Sequence, residues 1–225
     1  MTKRKFVRYS IVMLSILLLA LAAVGCGSKS KNDETALKQT ETVNGSAAKQ
    51  WSTMPEMTID PKKSYTATFH TSKGDFKVEL FADEAPTTVN NFVFLAKQKF
   101  YEGITFHRII ETFMIQTGDP NGDGSGGPGY HIPDELGSDL KYEVGTVAMA
   151  RTRAPDSGGS QFFICTGEDS LNLNQTPDYA IFGKVIEGMD TVMAIAKSPV
   201  EMSSNGELSK PVDKITINSI DIEEI

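Results

Sequence analysis

The chain has 225 residues, with 22 basic and 29 acidic side chains, a formal net charge of −7 and an apolar share of 40%. This is an ordinary globular composition, long enough for one domain and a tail. An acidic chain gains nothing from phosphate backbones, which argues against nucleic-acid binding.

In chain order, the first segment reads as a targeting signal. Lys3, Arg4, Lys5 and Arg8 are the only charges ahead of Cys26, and the run from Ile11 to Val24 has Ser15 as its sole polar residue. At about 14 residues that run is short for a membrane-spanning helix. It ends in Ala22-Ala23-Val24-Gly25, directly before Cys26. This pattern resembles the lipobox of bacterial lipoproteins, with Ala23 where that motif usually carries leucine. The resemblance implies removal of residues 1–25, lipidation of Cys26 and anchoring on the extracytoplasmic face of the cell membrane. The second cysteine, Cys165, lies in the apolar run Phe162-Phe163-Ile164-Cys165, so a disulfide is not expected.

Residues 26–60 are dominated by Ser, Thr, Lys, Gln, Asn and Ala without a sustained apolar period. They read as a flexible tether, in which the only tryptophan, Trp51, falls, with Trp51 and Met54 the first residues expected to touch the domain. The domain proper is expected over residues 61–225. Tyr65–His70 and Asp75–Leu80 alternate apolar and polar around the turn Thr71-Ser72-Lys73-Gly74, a β-hairpin pattern. Pro86 opens a helix, and Val89, Phe92, Val93 and Ala96 share one face of it.

The segment Phe106-His107-Arg108-Ile109-Ile110 follows, then the two-residue turn Glu111-Thr112, then Phe113-Met114-Ile115-Gln116. Both arms suit strands of a buried sheet. A burial-prone strand rarely carries an arginine unless its charge has a partner or faces a site. Arg108, the amide of Gln116 and the side chains of Phe113 and Met114 could line one patch. That patch would suit an uncharged, partly apolar ligand with an exposed carbonyl. His107, on the opposite face, reads as a hydrogen-bonded core histidine.

A glycine-rich loop runs from Gly118 to Tyr130. Strands are expected over Thr146–Ala150, Gln161–Cys165 and Ala180–Val185, a second helix over Met189–Ala196 and a last strand over Ile215–Asp221. These elements predict a mainly β domain, a closed antiparallel barrel capped by two α-helices.

Some motifs fail on context. Gly122–Gly127 contains a GxGxxG, but Pro128-Gly129 follows and no helix starts there. Asp119, Asn121 and Asp123 match half of a calcium loop, yet Tyr130 stands where its bidentate acid belongs. His70, His107 and His131 lack ligand spacing, so no metal site is expected.

Five stretches in order carry a further resemblance. They are Phe106–Ile110, Phe113–Gln116, Gly118-Asp119-Pro120 with Gly126–Tyr130, Ser160–Ile164, and Phe182-Gly183-Lys184-Val185. Together they resemble the cyclophilin-type peptidyl-prolyl cis-trans isomerases from about Tyr65 to Ile225. The resemblance implies an eight-stranded barrel with two capping helices, no cofactor, and X-Pro polypeptides as substrates. It implies Arg108 as the catalytic residue and Phe113, Met114 and Phe163 as the proline pocket. It also implies amide contacts from Gln116 and Gln161, a backbone contact at Ala150, and Tyr179 at the pocket edge in place of a histidine. The tryptophan of eukaryotic members is absent, with Leu171 or Leu173 near its place. With the lipobox, it implies a monomeric isomerase acting on newly exported proteins. The alternative is a tethered chaperone or proline-peptide binding module with secondary isomerase activity.

Overall fold

The computed structural model describes residues 49–225, and the expected signal segment and Cys26 lie outside the described residues. The first hairpin forms where the alternation places it, as β1 (Tyr65–Thr71) and β2 (Gly74–Leu80). Its inward side chains meet in register. Phe69 pairs with Phe76 across the ladder, and the two rings stack with centroids 4.5 Å apart. The helix α1 (Pro86–Lys97) follows, with proline in its first turn. Ala85 provides no side-chain cap. Glu135 does so from a distant loop, its carboxylate accepting from the backbone N–H of Thr87 (2.9 Å) and Thr88 (2.7 Å). A negative group on the orphan amides of a helix N-terminus is favourable.

The remaining strands are β3 (Arg108–Ile110), β4 (Met114–Thr117), β5 (Thr146–Met149), β6 (Phe162–Cys165) and β7 (Ile181–Glu187). After α2 (Met189–Ala196) come β8 (Val200–Met202), β9 (Leu208–Pro211) and β10 (Ile217–Glu224). Eight strands form one antiparallel sheet in the order β10-β1-β2-β7-β5-β6-β4-β3. The expected barrel is not closed: the sheet is an open half-barrel with β10 and β3 at its edges. The three-residue β3 pairs only with β4. Chain beyond the β3 edge meets chain before β10 through the single bridge Thr105–Thr216 and bonds such as Phe106 N–H to Ile215 C=O (3.0 Å).

Three further features differ from expectation. The loop after β6 contains a 3₁₀ helix, Glu168–Gln175. The β8–β9 hairpin forms a separate two-stranded sheet. Trp51, placed above in the tether, is 5% exposed and packs edge-on to Phe94 with centroids 5.2 Å apart. Its N–H donates to the Pro128 carbonyl at 2.8 Å, and the Thr58 N–H donates to Asn90 Oδ1 at 2.8 Å. Packing therefore reaches back to Trp51, before the expected domain start at residue 61.

Strand alternation divides the apolar residues in two. Ile115, Val147, Met149, Phe162 and Ile164 face the main core with Phe69, Phe92 and Phe182. Their neighbours Met114, Ala148, Phe163 and Cys165 turn to the other face and build a smaller cluster with Tyr142 and Ile181. That outer face of β4, β6 and β5 is the floor of the site.

Candidate active site

Register assembles the floor. Arg108 of β3 lies opposite Gln116 of β4, Gln116 opposite Phe163 of β6, and Phe163 opposite Ala148 of β5. A cation, an amide and an aromatic ring thus stand in one row across three strands. Met114 sits in the adjoining row, opposite Ile110 and Cys165. Phe113 belongs to the turn before β4, where its N–H donates to the Ile110 carbonyl at 2.8 Å. From there its ring centroid is 6.5 Å from that of Phe163 and 5.8 Å from the Arg108 Cζ.

Arg108, Phe113, Met114, Gln116 and Phe163 line a cavity of about 320 Å³ together with Ala150, Arg151, Tyr179, Asn205 and Glu207. Tyr179 stands perpendicular to Phe163 with centroids 5.2 Å apart. It is held there through its backbone: the Tyr142 hydroxyl donates to the Tyr179 carbonyl (2.6 Å) and accepts from the Tyr179 N–H (3.1 Å). Of the two leucines weighed for the missing tryptophan's place, Leu173 packs on this cluster and Leu171 is exposed.

A second cavity of about 490 Å³ shares Gln116, Ala150 and Arg151 with the first. Gln161 stands at this junction. Its Oε1 accepts from Gln116 Nε2 at 3.0 Å, while its own Nε2 donates to the carbonyls of Gly124 (3.0 Å) and Gly126 (2.9 Å). The glycine-rich loop is thereby tied to the edge of the sheet. Asp119 curls the same loop, its carboxylate accepting from the N–H groups of Asn121 (2.8 Å) and Asp123 (3.0 Å). A Cβ at Gly126 would lie 2.1 Å from Asp119 Oδ1, so the loop needs glycine there. Arg151 is fastened to the Asp178 carbonyl (2.6 Å) and to Asp134 (3.4 Å).

All eight expected binding and catalytic residues are brought around these two adjoining hollows. Glu207 was not anticipated. Its carboxylate accepts from Arg108 Nε at 2.6 Å and Nη2 at 2.8 Å, a two-pronged ion pair. Hydrogen bonding from Arg108 holds the Glu207 carboxyl below the usual carboxylate range, so the pair is charged near neutral pH. The Asn205-Gly206 step between two short apolar-polar runs was a legible turn signal. The carboxylate's partner was not legible.

His107 differs from its expected role as a hydrogen-bonded core residue. Neither ring nitrogen has a hydrogen-bond partner among the described residues, and burial lowers its pKa, favouring the neutral ring. Cys165 is buried within the floor's own cluster, where desolvation pushes its thiol up to about 11. It is therefore not activated as a nucleophile. The site is a hollow with an apolar side formed by Phe113, Met114, Phe163 and Tyr179, the guanidinium of Arg108 balanced by a carboxylate, that of Arg151 fastened to Asp178 and Asp134, and the amides of Gln116, Gln161 and Asn205 around it. It can hold an uncharged group and direct hydrogen-bond donors at it.

Residues 66–222 match the family model described as cyclophilin type peptidyl-prolyl cis-trans isomerase/CLD. The chain is 39% identical over 183 residues to peptidyl-prolyl cis-trans isomerase A of Mycobacterium tuberculosis, covering 74% of this chain and 96% of that protein. It is 40% identical over 159 residues to peptidyl-prolyl cis-trans isomerase-like 3 of Gallus gallus, covering 69% and 94%. Among solved structures, a Cryptosporidium parvum cyclophilin type isomerase superposes with a TM-score of 0.63 at 34% identity, covering 71% of this chain and 98% of that one. The same protein crystallised in the presence of the dipeptide Ala-Pro gives a TM-score of 0.62 at 35% identity, covering 70% and 98%. Shared sequence along most of the domain and a shared fold lead to one conclusion: this chain belongs to the cyclophilin-type peptidyl-prolyl cis-trans isomerases.

Proposed function

We propose that the chain isomerises X-Pro bonds in newly exported proteins, tethered by a lipid on Cys26, with Arg108 as the electrostatic catalyst. The observation that carries the site assignment is the single row of Arg108, Gln116 and Phe163 across three strands, opening into one cavity.

The reaction asks little covalent chemistry of a protein. Rotation about an X-Pro bond breaks amide resonance, with a barrier of about 18–20 kcal/mol. A ten-thousand-fold acceleration requires about 5.4 kcal/mol. Phe113, Met114 and Phe163 hold the proline ring while the preceding carbonyl swings. Gln116, Gln161 and the Ala150 backbone hold the chain on either side, and Tyr179 closes the edge. As resonance is lost the prolyl nitrogen regains its lone pair. An N–H of the permanently charged Arg108, aimed there, binds the twisted state better than either planar one. No proton is transferred, so no general acid or base is required.

The signal-like segment and the small residues before Cys26 support the tether and its extracytoplasmic setting. Two or more acyl chains would anchor such a protein stably, whereas one is marginal. Mass spectrometry of the membrane-extracted protein should find acyl mass on Cys26, and Cys26→Ser should release the protein from membranes. An unmodified Cys26 in the mature protein would rule the anchor out.

The site assignment is tested by titrating the protein with an Ala-Pro dipeptide and following NMR shifts. The largest changes are expected at Phe113, Met114, Gln116 and Phe163. Changes confined to another face would overturn the assignment.

A further inference from the structure

The guanidinium of Arg108 is fastened from outside the sheet that carries it. The fastening group, Glu207, stands at the tip of the β8–β9 hairpin, 99 residues further along the chain. The tip is knitted by its own bonds. Ser203 N–H donates to the Glu207 carbonyl (2.8 Å), Gly206 N–H to the Ser203 carbonyl (3.0 Å), and Glu207 N–H to Asn205 Oδ1 (3.1 Å). Gly206 adopts φ +84°, a conformation that suits glycine. Below the tip, Lys210 and Glu201 pair across the two strands at 2.8 Å. The Glu207 backbone is therefore set before its side chain reaches Arg108.

An arginine carries five N–H donors in a planar fork. Glu207 occupies the one on Nε and one on Nη2. The donors left over lie on Nη1 and on the other side of Nη2. Nη1 is 3.6 Å from Met114 Sδ, and Cζ is 5.8 Å from the Phe113 ring centroid. Both of those residues line the cavity, as do Asn205 and Glu207. The carboxylate thus holds the far edge of the guanidinium while the near edge stays with the proline pocket.

Two effects of such a pairing oppose each other. The carboxylate offsets part of the positive charge felt at the peptide bond. It also fixes the plane and direction of a long, flexible side chain. In an open hollow the non-directional attraction is screened by water, whereas a donor helps the twisted amide only when aimed at the prolyl nitrogen. Direction outweighs charge here.

We propose that Glu207 is a positioning residue for the isomerisation, holding the Arg108 guanidinium so that its free N–H groups face the X-Pro bond. This rests on Arg108 being the electrostatic catalyst. The β8–β9 hairpin is then a working part of the site, although its strands lie outside the eight-stranded sheet.

The test measures kcat and KM on an X-Pro peptide for Glu207→Gln and Glu207→Asp, with Arg108 intact and in an Arg108→Lys background. Glu207→Gln should lower kcat about tenfold while KM stays within about twofold. Glu207→Asp should recover part of the loss, and in the Arg108→Lys background Glu207→Gln should cost less than about twofold. Independently of turnover, the Arg108 Nε–H resonance should be protected from exchange in the wild type and lose that protection in Glu207→Gln. A wild-type or raised kcat in Glu207→Gln overturns the proposal, as does an equal loss in both arginine backgrounds. The Arg108→Ala variant separates the two ideas. If it retains full activity, the catalytic role of Arg108 fails; if it is impaired while Glu207→Gln is not, only the positioning role fails.

Discussion

The two walls around Arg108 are built in opposite ways. The floor, on β4, β6 and β5, is dictated by strand alternation: the face that carries Met114, Ala148 and Phe163 outward is the back of one that buries Ile115, Val147 and Ile164. A residue there cannot be displaced without shifting the core behind it. The β8–β9 wall has almost no core. Met202 and Leu208, paired across the hairpin, are both exposed, and the tip is held mainly by polar bonds. The difference separates stability from aim. The floor should fail by unfolding, and the hairpin should fail by mispointing a catalytic side chain.

The largest effect is expected where the floor meets the glycine-rich loop. Gly118 has φ +87°, and a Cβ there would lie 2.2 Å from the Ser160 carbonyl oxygen. Gly118→Val should cost about 4 kcal/mol or more, through a backbone clash plus a strained φ. Denaturant unfolding should show most of the stability gone, with activity lost alongside. Phe163→Ala comes next, at about 3 kcal/mol, because one side of the ring packs on the cluster while the other faces the hollow. It should also raise KM for X-Pro peptides, which a deletion confined to the core would not do.

On the hairpin the signature should invert. A Cβ at Gly206 meets nothing within 4 Å, so Gly206→Ala carries only the local cost of its φ of +84°, about 1 kcal/mol. The hairpin can fray without opening the sheet. The thermal midpoint should barely move, while kcat falls about threefold as Glu207 loses its seat. Equal losses in midpoint and kcat would erase the contrast between the two walls.

The smallest effect concerns His70, on β1, away from either wall. It sits between Asp75 (3.0 Å) and Asp221 (3.3 Å), and hydrogen bonding to Asp75 raises its pKa above 6.5. A raised folded-state value means this stabilisation is full below the unfolded pKa and is lost as pH rises through the folded one. Both aspartates are exposed, so solvent weakens the interaction. The wild-type midpoint should drop slightly between roughly pH 6 and 8, a step that His70→Gln should lack. Activity should not follow it.

The same contrast explains how much could be read from residues alone. Period-two alternation marked β1 and β2 within a residue and β10 within two or three, while short apolar runs marked the strands of the floor within a residue. Arg108 stood out because a cation in an apolar strand needs a reason. Gln116 and Met114 followed from their place in the next arm, while Phe163 and Tyr179 needed the family pattern. Glu207 was out of reach. Its strands have three and four residues, its neighbours are exposed, and its partner is 99 residues away. No local period records such a contact. The contact of Trp51 with the domain was legible only in part: its surroundings are polar in sequence, and its ring packs against Phe94 of α1 and Phe100 just beyond that helix. The closed barrel was overcalled because strand count does not reveal how the last edges meet. Here the Thr105–Thr216 bridge and a few backbone bonds beside it join chain near them, without a ladder between β3 and β10.

The central claim is that Arg108 stabilises the twisted X-Pro bond electrostatically within an otherwise intact pocket. The most direct measurement is kcat/KM for X-Pro isomerisation by the wild type and by Arg108→Ala, with dipeptide binding and thermal midpoint recorded on the same samples. The account predicts a fall of about a hundredfold, carried mainly in kcat, with the fold intact and Ala-Pro still bound. A folded Arg108→Ala protein that isomerises at the wild-type rate would contradict it.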